Sequence, residues 1–501
     1  MIQDAQEPVA AQSDQREMPF AESLRAERDR WQVSFHMPGH KGTLDLHPLL
    51  ADLFGGNPLP ADLVEISGII DYLHAPKGTI KAAQELAAQA YGADHTFFLI
   101  NGSTVGNIGA VMSVSGPGQK IIMSRASHRS VYGGVVLSGA TPLYIEPAYH
   151  PQVGFPLAVR AEAVEKLLDS HTDVAAVHIT SPNYYGVISD TAAIAQAAHA
   201  HGAALLVDEA HGSHLNFHEA LPESATRLGA DMIIQSTHKT QGALTQASML
   251  HVNDQGLVNR ARVAQVLALL QSSSPSSLLL ASLDVARMEI ATQGHAWLSQ
   301  IIPLAQDARR AIQAIDGLWC YGDDLVGTAG ICAYDPTKLI IRVVETGYTG
   351  FEVSYKLRHE HGIDVEFADL RQVICSVTIG DSESSVTRLV EALQVIAAET
   401  TRKTGGSSPL PVDVPPPAIP EQAISPREAY FAPSRPVVLE QAVGQIVAEN
   451  IIPYPPGIPL LVPGEVMAQA HLDYLRYIMS KGSGVVGTED RTVQTVRVVA
   501  G

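Results

Sequence analysis

The chain has 501 residues, of which 46% are hydrophobic, and its formal net charge is −19 because 52 acidic residues outnumber 33 basic ones. This composition predicts a globular protein of two or three domains, and the negative charge disfavours nucleic-acid binding, which needs a basic surface. Three cysteines without close spacing predict neither a disulfide framework nor a metal site. The polar, acidic N-terminal stretch and the lack of an 18-residue apolar run predict a cytoplasmic protein that does not cross a membrane.

Short apolar runs alternate with alanine-rich helical segments between residues 80 and 252. The segment "IKAAQELAAQAYGA" (80–93) predicts a helix that ends at Gly92. The apolar runs are "TFFLI" (96–100), "KIIMS" (120–124), "TPLYI" (141–145), "DVAAVHIT" (173–180), "ALLVDEA" (204–210), "DMIIQS" (231–236) and "ASMLHV" (247–252). Continuous apolar strands separated by helices predict an α/β fold with a mostly parallel sheet that is covered on both faces.

Composition further divides the chain into five segments. Long helical stretches after about residue 280 and shorter α/β segments up to about residue 400 predict a second, smaller domain. Proline, glycine and serine concentrate in residues 403–422, which predicts an extended linker. The expected segments are an N-terminal arm (1–75), a large domain (76–290), a small α/β domain (291–402), the linker (403–422) and a C-terminal domain (423–501).

Four polar stretches follow predicted strand ends, which is where open α/β sheets bind ligands. In "NGSTVGN" (101–107), Gly102 permits a tight turn, and Ser103 and Thr104 offer hydroxyls beside a helix N-terminus that attracts phosphate. His128 follows "KIIMS", where an imidazole could lie flat on an aromatic ligand. Each feature alone also fits a plain reading, a helix-capping turn for the first and an exposed loop histidine for the second.

The other two stretches place charged groups at strand ends. Asp208 closes an apolar run, so its carboxylate is poorly solvated unless a cation or a protonated ring nitrogen meets it, and His211 nearby could transfer protons. Lys239 in "STHKT" could be a nucleophilic amine, with Ser236 and His238 reaching a phosphate. A helix-capping aspartate and a solvated loop lysine are the structural alternatives.

Together the four stretches supply the parts that hold pyridoxal 5′-phosphate: a phosphate cradle, a stacking histidine, a carboxylate for a pyridinium nitrogen and an imine-forming lysine. With these residues the chain resembles the Orn/Lys/Arg decarboxylase family of fold type I, in its short form without an N-terminal wing domain. The resembling motifs are "SFHMPGHKG" (34–42), "NGSTVGN", "SHRSVYGG", "SPNYYGVISD" (181–190), "DEAHGSH" (208–214), "STHKT", "LTQASMLH" (244–251), "SSSPSSLLLASLD" (272–284), "GIDVEFAD" (362–369) and "AVGQIVAENIIPYPPGIPLLVPGE" (442–465).

The resemblance implies an aspartate aminotransferase-like large domain with a seven-stranded sheet, smaller C-terminal α/β domains and at least a homodimer with shared active sites. It implies that Lys239 carries the cofactor as a Schiff base. His211 departs from the longer members, which more often carry tryptophan there. The resemblance further implies that the cofactor phosphate contacts Ser103, Thr104, Ser236 and His238. His128 is implied to stack on the ring face, and Asp208 to contact the ring nitrogen. Ser274 is implied to contact the phosphate bound in the neighbouring subunit.

The resemblance also implies decarboxylation of a basic L-amino acid, with arginine favoured and lysine or ornithine as alternatives, in a biosynthetic role such as polyamine synthesis. Glu366 and Asp369 are candidate partners for a distal ammonium or guanidinium, and His40 is a candidate for shaping the entrance. A surface acidic pair and a proline–glycine turn explain those residues as well. Transamination, aldol cleavage or oxidation on the same scaffold, and a silent cofactor-binding regulator, remain open alternatives.

Overall fold

In this computed structural model, the structure describes residues 14–30, 33–65, 70–148, 153–404, 416–455 and 457–500. Residues 405–415 of the predicted linker and residues 1–13 of the predicted arm therefore lie outside the described part of the chain. The α-helices are α1 Pro19–Asp29, α2 Pro48–Phe54, α3 Thr79–Tyr91, α4 Gly102–Val114, α5 Arg129–Ser138, α6 Ala161–Ser170, α7 Thr191–Ala200, α8 Thr237–Thr240, α9 Arg260–Leu270, α10 Ser277–Gln313, α11 Gly350–His361, α12 Glu383–Thr404, α13 Pro426–Phe431 and α14 Gln469–Ser480.

The strands fall where apolar runs occur in the sequence. They are β1 His95–Leu99, β2 Lys120–Ser124, β3 Thr141–Ile145, β4 Val174–Thr180, β5 Val187–Ser189, β6 Ala204–Asp208, β7 Met232–Gln235, β8 Ser248–Val252, β9 Trp319–Tyr321, β10 Ile331–Tyr334, β11 Lys338–Arg342, β12 Phe367–Ala368, β13 Gln372–Ser376, β14 Ser434–Val438, β15 Ile452–Tyr454, β16 Gly484–Val486 and β17 Thr495–Val499. Helix α3 ends, as predicted, before Gly92, which adopts a left-handed conformation.

The predicted seven-stranded sheet is confirmed, in the order β1-β8-β7-β6-β4-β2-β3. All neighbouring pairs are parallel except those that involve β8, which runs against both β1 and β7. Alternate side chains of β2 enter opposite clusters: Ile121 and Met123 pack on one face, and Ile122 packs on the other. Helices therefore cover both faces, as the continuous apolar strands predict.

Helix α4 packs unusually closely on this sheet. A Cβ atom at Gly106 would lie 2.7 Å from Ile234 and 2.8 Å from Leu99, so only glycine allows the observed approach. Gly102, at the start of the helix, has a φ of +72° and donates its N–H to the Gln246 carbonyl at 2.9 Å. These two glycines place the N-terminus of α4 at the edge of the sheet where β1 ends.

Two further parts of the chain pack around the large sheet. A four-stranded antiparallel sheet, β12-β13-β11-β9, has its own hydrophobic cluster with α11 and α12. Residues after 416 form the antiparallel pairs β14-β17 and β15-β16 around a separate cluster. Within the described residues, no helix has both the length and the mean hydropathy that crossing a membrane requires.

A buried ion pair fastens the C-terminal part to the large sheet. Arg125, just after β2, donates to Glu465 Oε2 at 2.9 Å and to the Leu460 carbonyl at 3.0 Å. The Glu465 side chain is fully buried, and burial raises its pKa to about 7 although Arg125 opposes the rise. Because Arg125 lies three residues before His128, this ion pair also anchors the loop that carries a predicted site residue.

We expect Arg125→Met to lower the free energy of unfolding by about 3–5 kcal/mol at pH 8, because it leaves the Glu465 carboxylate buried without a counter-charge. The loss shrinks below pH 7, where Glu465 takes up a proton and is no longer charged. Urea denaturation at both pH values measures it. Arg435→Met, at an exposed arginine of the C-terminal part, is the matched control, and equal losses in both variants would contradict the assignment.

Candidate active site

The carboxyl edge of the large sheet gathers the predicted polar stretches. Strands β1, β2, β6 and β7 run in one direction, so the residues that follow them emerge at the same edge. Strand β8 runs the opposite way and contributes its first residue, Ser248, to that edge. The topology thus brings the loops that begin at residues 101, 125, 208 and 236 to one place.

A cluster of hydroxyls lies beside the N-terminus of α4. Ser103 Oγ is 2.7 Å from Ser236 Oγ and 3.4 Å from Ser248 Oγ, and Thr104 is exposed. His238 Nδ1 is 2.8 Å from the Ala247 carbonyl, and burial lowers the pKa of this histidine. The lowered pKa keeps the ring neutral, and its one proton lies on Nδ1, which donates to the Ala247 carbonyl. His238 can donate to a phosphate through Nε2 only when the ring takes up a second proton.

Asp208 is a carboxylate withdrawn from water at the end of β6, with 3% of the residue exposed. Asn107 Nδ2 donates to its Oδ2 at 2.8 Å, and the Ala210 N–H donates to its Oδ1 at 3.2 Å. Burial raises the pKa of Asp208, although the Lys239 charge and these hydrogen bonds act in the other direction. Among the described residues, Asp208 has no ion pair within 4.0 Å, so a cationic group in the cleft would be its natural partner.

His128 is the N-cap of α5. The Ser130 N–H donates to His128 Nδ1 at 3.3 Å, which fixes the ring and leaves the Nε2 proton on the opposite side. Burial lowers the pKa of His128 to about 4, and the Lys239 and Arg129 charges act in the same direction. His128 is therefore a neutral, orientationally fixed ring next to the lysine.

Lys239 lies in the short helix α8, and its Nζ is 3.1 Å from His211 Nε2. The lysine is reached by solvent, yet protein surrounds its amine, and this burial lowers the pKa of Lys239. The Lys338 charge acts in the same direction, whereas Asp208 and Glu366 oppose it. A lowered pKa increases the share of free amine, which is the nucleophilic form.

A second lysine stands behind His211. Lys338, with 2% of the residue exposed, places its Nζ 3.2 Å from His211 Nδ1 and 2.6 Å from Glu366 Oε2. Burial alone raises the pKa of Glu366, but Lys338 and a hydrogen bond from Ser376 outweigh it and hold this pKa below its ordinary value. Burial lowers the pKa of His211 well below its ordinary value, and the charges of Lys239 and Lys338 add to that effect.

The remaining predicted site residues lie at differing distances from this cluster. Asp369 accepts from Tyr185 at 3.0 Å, from the Gln372 side chain at 2.7 Å and from two backbone N–H groups, so its carboxylate is occupied in a turn. His40 Nε2 is 3.3 Å from Asp62 Oδ2 in the N-terminal part. Ser274 is exposed in the loop between α9 and α10. Of the predicted substrate contacts, only Glu366 touches the groups around Lys239.

Sequence reasoning missed several residues of the cluster. Asn107 lies one helical turn after Ser103 within the quoted motif "NGSTVGN", and that spacing could have identified it. Tyr184 packs its ring edge against His211 at 5.7 Å and lies within "SPNYYGVISD". Lys338 is the first residue of an apolar strand that lies far in sequence from Lys239, and none of the quoted motifs contains it. Only the pairing of β11 with β13 brings it to the site.

The donor set fits pyridoxal 5′-phosphate. A buried carboxylate without an ion-pair partner, a fixed neutral imidazole, a group of hydroxyls at a helix N-terminus and an amine of lowered pKa meet in one cleft. These groups match the ring nitrogen, the ring face, the phosphate and the aldehyde of that cofactor.

Comparisons with known proteins agree with this geometry. Residues 18–385 match the family model described as Orn/Lys/Arg decarboxylase, major domain, and residues 416–492 match the model for the C-terminal domain of that family. The arginine decarboxylase of Halalkalibacterium halodurans is 44% identical over 97% of this chain and 98% of that protein. The arginine decarboxylase of Bacillus subtilis is 40% identical over the same shares of the two chains.

Solved structures show the same fold at lower sequence identity. Lysine decarboxylase A from Pseudomonas aeruginosa superposes with a TM-score of 0.81 and 24% identity, over 96% of this chain and 80% of that one. The constitutive lysine decarboxylase of Escherichia coli superposes with a TM-score of 0.79 and 21% identity, over 97% and 82%. The predicted fold type I architecture is thereby confirmed.

We expect Lys239→Ala to abolish covalent attachment of pyridoxal 5′-phosphate, because in the part of the chain that the structure describes no other lysine combines an open position in the cleft with the proposed cofactor groups. Borohydride reduction followed by peptide mass spectrometry checks this, with the wild-type adduct expected on the peptide that contains residue 239. Lys356→Ala, at a lysine paired with Glu360 on α11, is the control and should keep the adduct. An adduct on another residue of the wild-type protein would contradict the assignment.

Proposed function

The chain belongs to the Orn/Lys/Arg decarboxylase family, and from this premise we propose that it converts L-arginine to agmatine and carbon dioxide. The protein is a pyridoxal 5′-phosphate-dependent amino-acid decarboxylase. Arginine as the substrate is supported by the two relatives at 44% and 40% identity, which match almost the whole chain. Agmatine is a polyamine precursor, which favours a biosynthetic role.

The observation that carries the proposal is the convergence of Lys239, Asp208 and His128 at one sheet edge, where the Lys239 charge acts to lower the pKa of both neighbours. When bound, pyridoxal 5′-phosphate supplies an aldehyde that condenses with amines and a cationic ring that withdraws electrons from Cα. Lys239 would hold the aldehyde, and the ionised Asp208 would keep a proton on the ring nitrogen. His128 would cover one face of the ring, and Ser103, Thr104, Ser236 and His238 would hold the phosphate.

Two groups of the chain can deliver the proton that Cα needs after carbon dioxide leaves. His211 Nε2 and Lys239 Nζ lie 3.1 Å apart, so both reach the same region of the cleft. Tyr184 and the neighbouring walls keep His211 almost fully buried, which limits access of water to this position. Controlled protonation by a fixed group favours the amine over side products.

Glu366 is the acidic group best placed to recognise a guanidinium. Its Oε2 is occupied by Lys338 at 2.6 Å, and its Oε1 lies 3.4 Å from His211 Nδ1. A guanidinium presents several N–H donors in one plane and can share a carboxylate that already has other partners. A role for Asp369 is less favoured, because its carboxylate is already saturated by Tyr185, Gln372 and the turn.

Incubating the purified holoenzyme with L-arginine, L-lysine and L-ornithine tests the proposal. We expect labelled carbon dioxide and agmatine from arginine, with kcat/KM at least about 10-fold higher than for the other two substrates, since a bidentate guanidinium contact adds one or more charge-assisted hydrogen bonds. Release of radiolabelled carbon dioxide and mass spectrometry of the amine are measured together. A keto acid without carbon dioxide, or a preference for lysine or ornithine, would overturn it.

We also propose that the chain acts as a homodimer with shared sites. Large apolar side chains stand exposed in residues 33–54, where Phe35 is 95% exposed and Leu53 is 73% exposed. A concentration of such side chains on a globular protein is typical of a covered interface. Ser274, exposed in the loop before α10, would then reach the phosphate in the partner's site.

Mixed dimers test the sharing of sites. Lys239→Ala removes the amine, and Ser274→Asp places a negative charge where the partner's phosphate would bind, so each homodimer should be inactive. After the two variants are unfolded, mixed and refolded together, we expect activity to return, because one site of a mixed dimer holds both native residues. Sedimentation velocity confirms the dimer. Activity of Ser274→Asp alone at the wild-type level would contradict the role of Ser274.

A further inference from the structure

Lys338 is a buried ammonium whose three N–H donors all have acceptors. They are His211 Nδ1 at 3.2 Å, Glu366 Oε2 at 2.6 Å and Ser376 Oγ at 2.5 Å. A lysine withdrawn from water is costly unless its charge is paired and its donors are satisfied, and here both conditions are met. Lys338 thus has a partner for each N–H of its ammonium group and an ion pair with Glu366.

The backbone fixes where this ammonium points. Lys338 and Ser376 lie directly opposite each other in the β11–β13 register. The Lys338 stem packs against Gly186, where a Cβ atom would lie 2.9 Å from Lys338 Cβ and Cγ. Arg309 and Tyr334 both donate to the Lys338 carbonyl, at 2.6 Å and 2.8 Å. The ammonium therefore reaches His211 from a rigid base.

We propose that Lys338 is a positioning residue that holds His211 in the Nε2–H tautomer and replaces the proton that His211 donates. An ammonium can only donate, so His211 Nδ1 must accept, and the ring proton must sit on Nε2. Nε2 faces Lys239 Nζ at 3.1 Å, and that amine must then accept as a free base. In the competing arrangement Nδ1–H donates to Glu366 Oε1 at 3.4 Å, and one N–H of the Lys338 ammonium then faces the Nδ1 proton at 3.2 Å without an acceptor.

The proton transfers from Lys338 through His211 to Cα balance. This role of Lys338 and His211 rests on the proposed decarboxylase function. When the bond from Cα to the carboxylate breaks, its electron pair remains with Cα and forms the new bond to the Nε2 proton. The electron pair of the broken N–H bond stays on Nε2. A neutral imidazole cannot end as an anion, so Lys338 transfers a proton to Nδ1 and becomes a neutral amine. After the amine leaves, a proton from solvent, which reaches Lys239 beside Nε2, returns to Nε2, and Nδ1 gives its proton back to Lys338, so each turnover consumes one proton.

The charges around His211 support a neutral ring that is supplied with protons by a neighbour. Burial lowers the pKa of His211 well below its ordinary value. The titratable or charged groups that face it from the surrounding elements are Lys239 of α8, Lys338 of β11, Glu366 before β12, His128 of the α5 cap, His214 of its own loop and Tyr184 before β5. Glu366 is the negative one among them, and it is paired with Lys338.

The experiment is ¹⁵N NMR of the histidine-labelled holoenzyme, with the His211 signals assigned by comparison with His211→Gln. We expect Nδ1 unprotonated and Nε2 protonated in the wild type. Lys338→Met removes the donor and the charge, so the proton should move to Nδ1 facing Glu366, and the His211 pKa should rise. A protonated Nδ1 in the wild type, or an unchanged spectrum in Lys338→Met, would overturn the tautomer assignment.

Kinetic measurements separate the two roles of Lys338, which are to fix the tautomer of His211 and to replace its donated proton. Lys338→Met should lower kcat by about 10²-fold, in the range of general acid catalysis, while KM changes little. Lys338→Arg should keep the Nε2–H tautomer but not restore kcat, because a guanidinium does not give up a proton. Wild-type kcat in Lys338→Arg would overturn the relay. Lys356→Met, at a lysine of α11 that pairs with Glu360 and Glu399, is the matched control.

A second variant covers failure of Lys338→Met to fold. Lys338→Met/Glu366→Gln removes the buried carboxylate left without its counter-charge, and it should lose the Nε2–H bias as well as turnover. Retention of the wild-type His211 spectrum in this variant would count against the proposal. A wild-type enzyme that releases no carbon dioxide from any basic amino acid would refute the proposed function, and the NMR result would still decide the tautomer.

Discussion

The Asp208 carboxylate is almost wholly withdrawn from water, and the rest of the site is arranged around the cost of keeping a charge there. Asn107 satisfies one oxygen, and the Ala210 N–H satisfies the other. His178 Nε2 is 3.4 Å from the Asn107 amide oxygen, which orients that amide so that its NH₂ group faces Asp208. Because these partners are neutral, the carboxylate keeps an uncompensated charge that favours a cation in the cleft. This is the property that the proposed contact of Asp208 with a protonated ring nitrogen requires.

The packing of α4 on the sheet serves this carboxylate and the hydroxyl cluster at the same time. Gly106 allows α4 to approach β1 and β7 closely, so Ser103 reaches Ser236 at 2.7 Å and Asn107 reaches Asp208 at 2.8 Å from successive turns of one helix. A larger residue at 106 would push both contacts apart together. The hydroxyl cluster and the buried carboxylate therefore share one structural determinant.

The sequence was enough to predict the site residues whose position depends on the neighbouring strand in the chain. Asp208 ends strand β6, and His128 and Lys239 lie shortly after the ends of β2 and β7, so parallel pairing was enough to place them at one edge. Lys338 could not be found in this way, because it starts an apolar strand and meets Ser376 only through antiparallel pairing. The helix and strand bounds differ from the predicted ones by one or two residues. "ALLVDEA", for example, ends as a strand at Asp208, where the chain turns so that the Ala210 N–H can reach the carboxylate.

The tautomer proposed for His211 depends on the contact between the large seven-stranded sheet and the small four-stranded sheet. Lys338 and Ser376 belong to the small sheet and Glu366 to the segment just before β12, whereas His211 and Lys239 lie beyond strand ends of the large sheet. The two sheets have different hydrophobic clusters. The pairing of β5 with β10, together with the contact of Gly186 with the Lys338 stem, holds them in register. A separation of about 1 Å at this junction would break the 3.2 Å contact between Lys338 and His211. The imidazole would then be free to exchange tautomers, so domain arrangement and proton delivery are one coupled property of this fold.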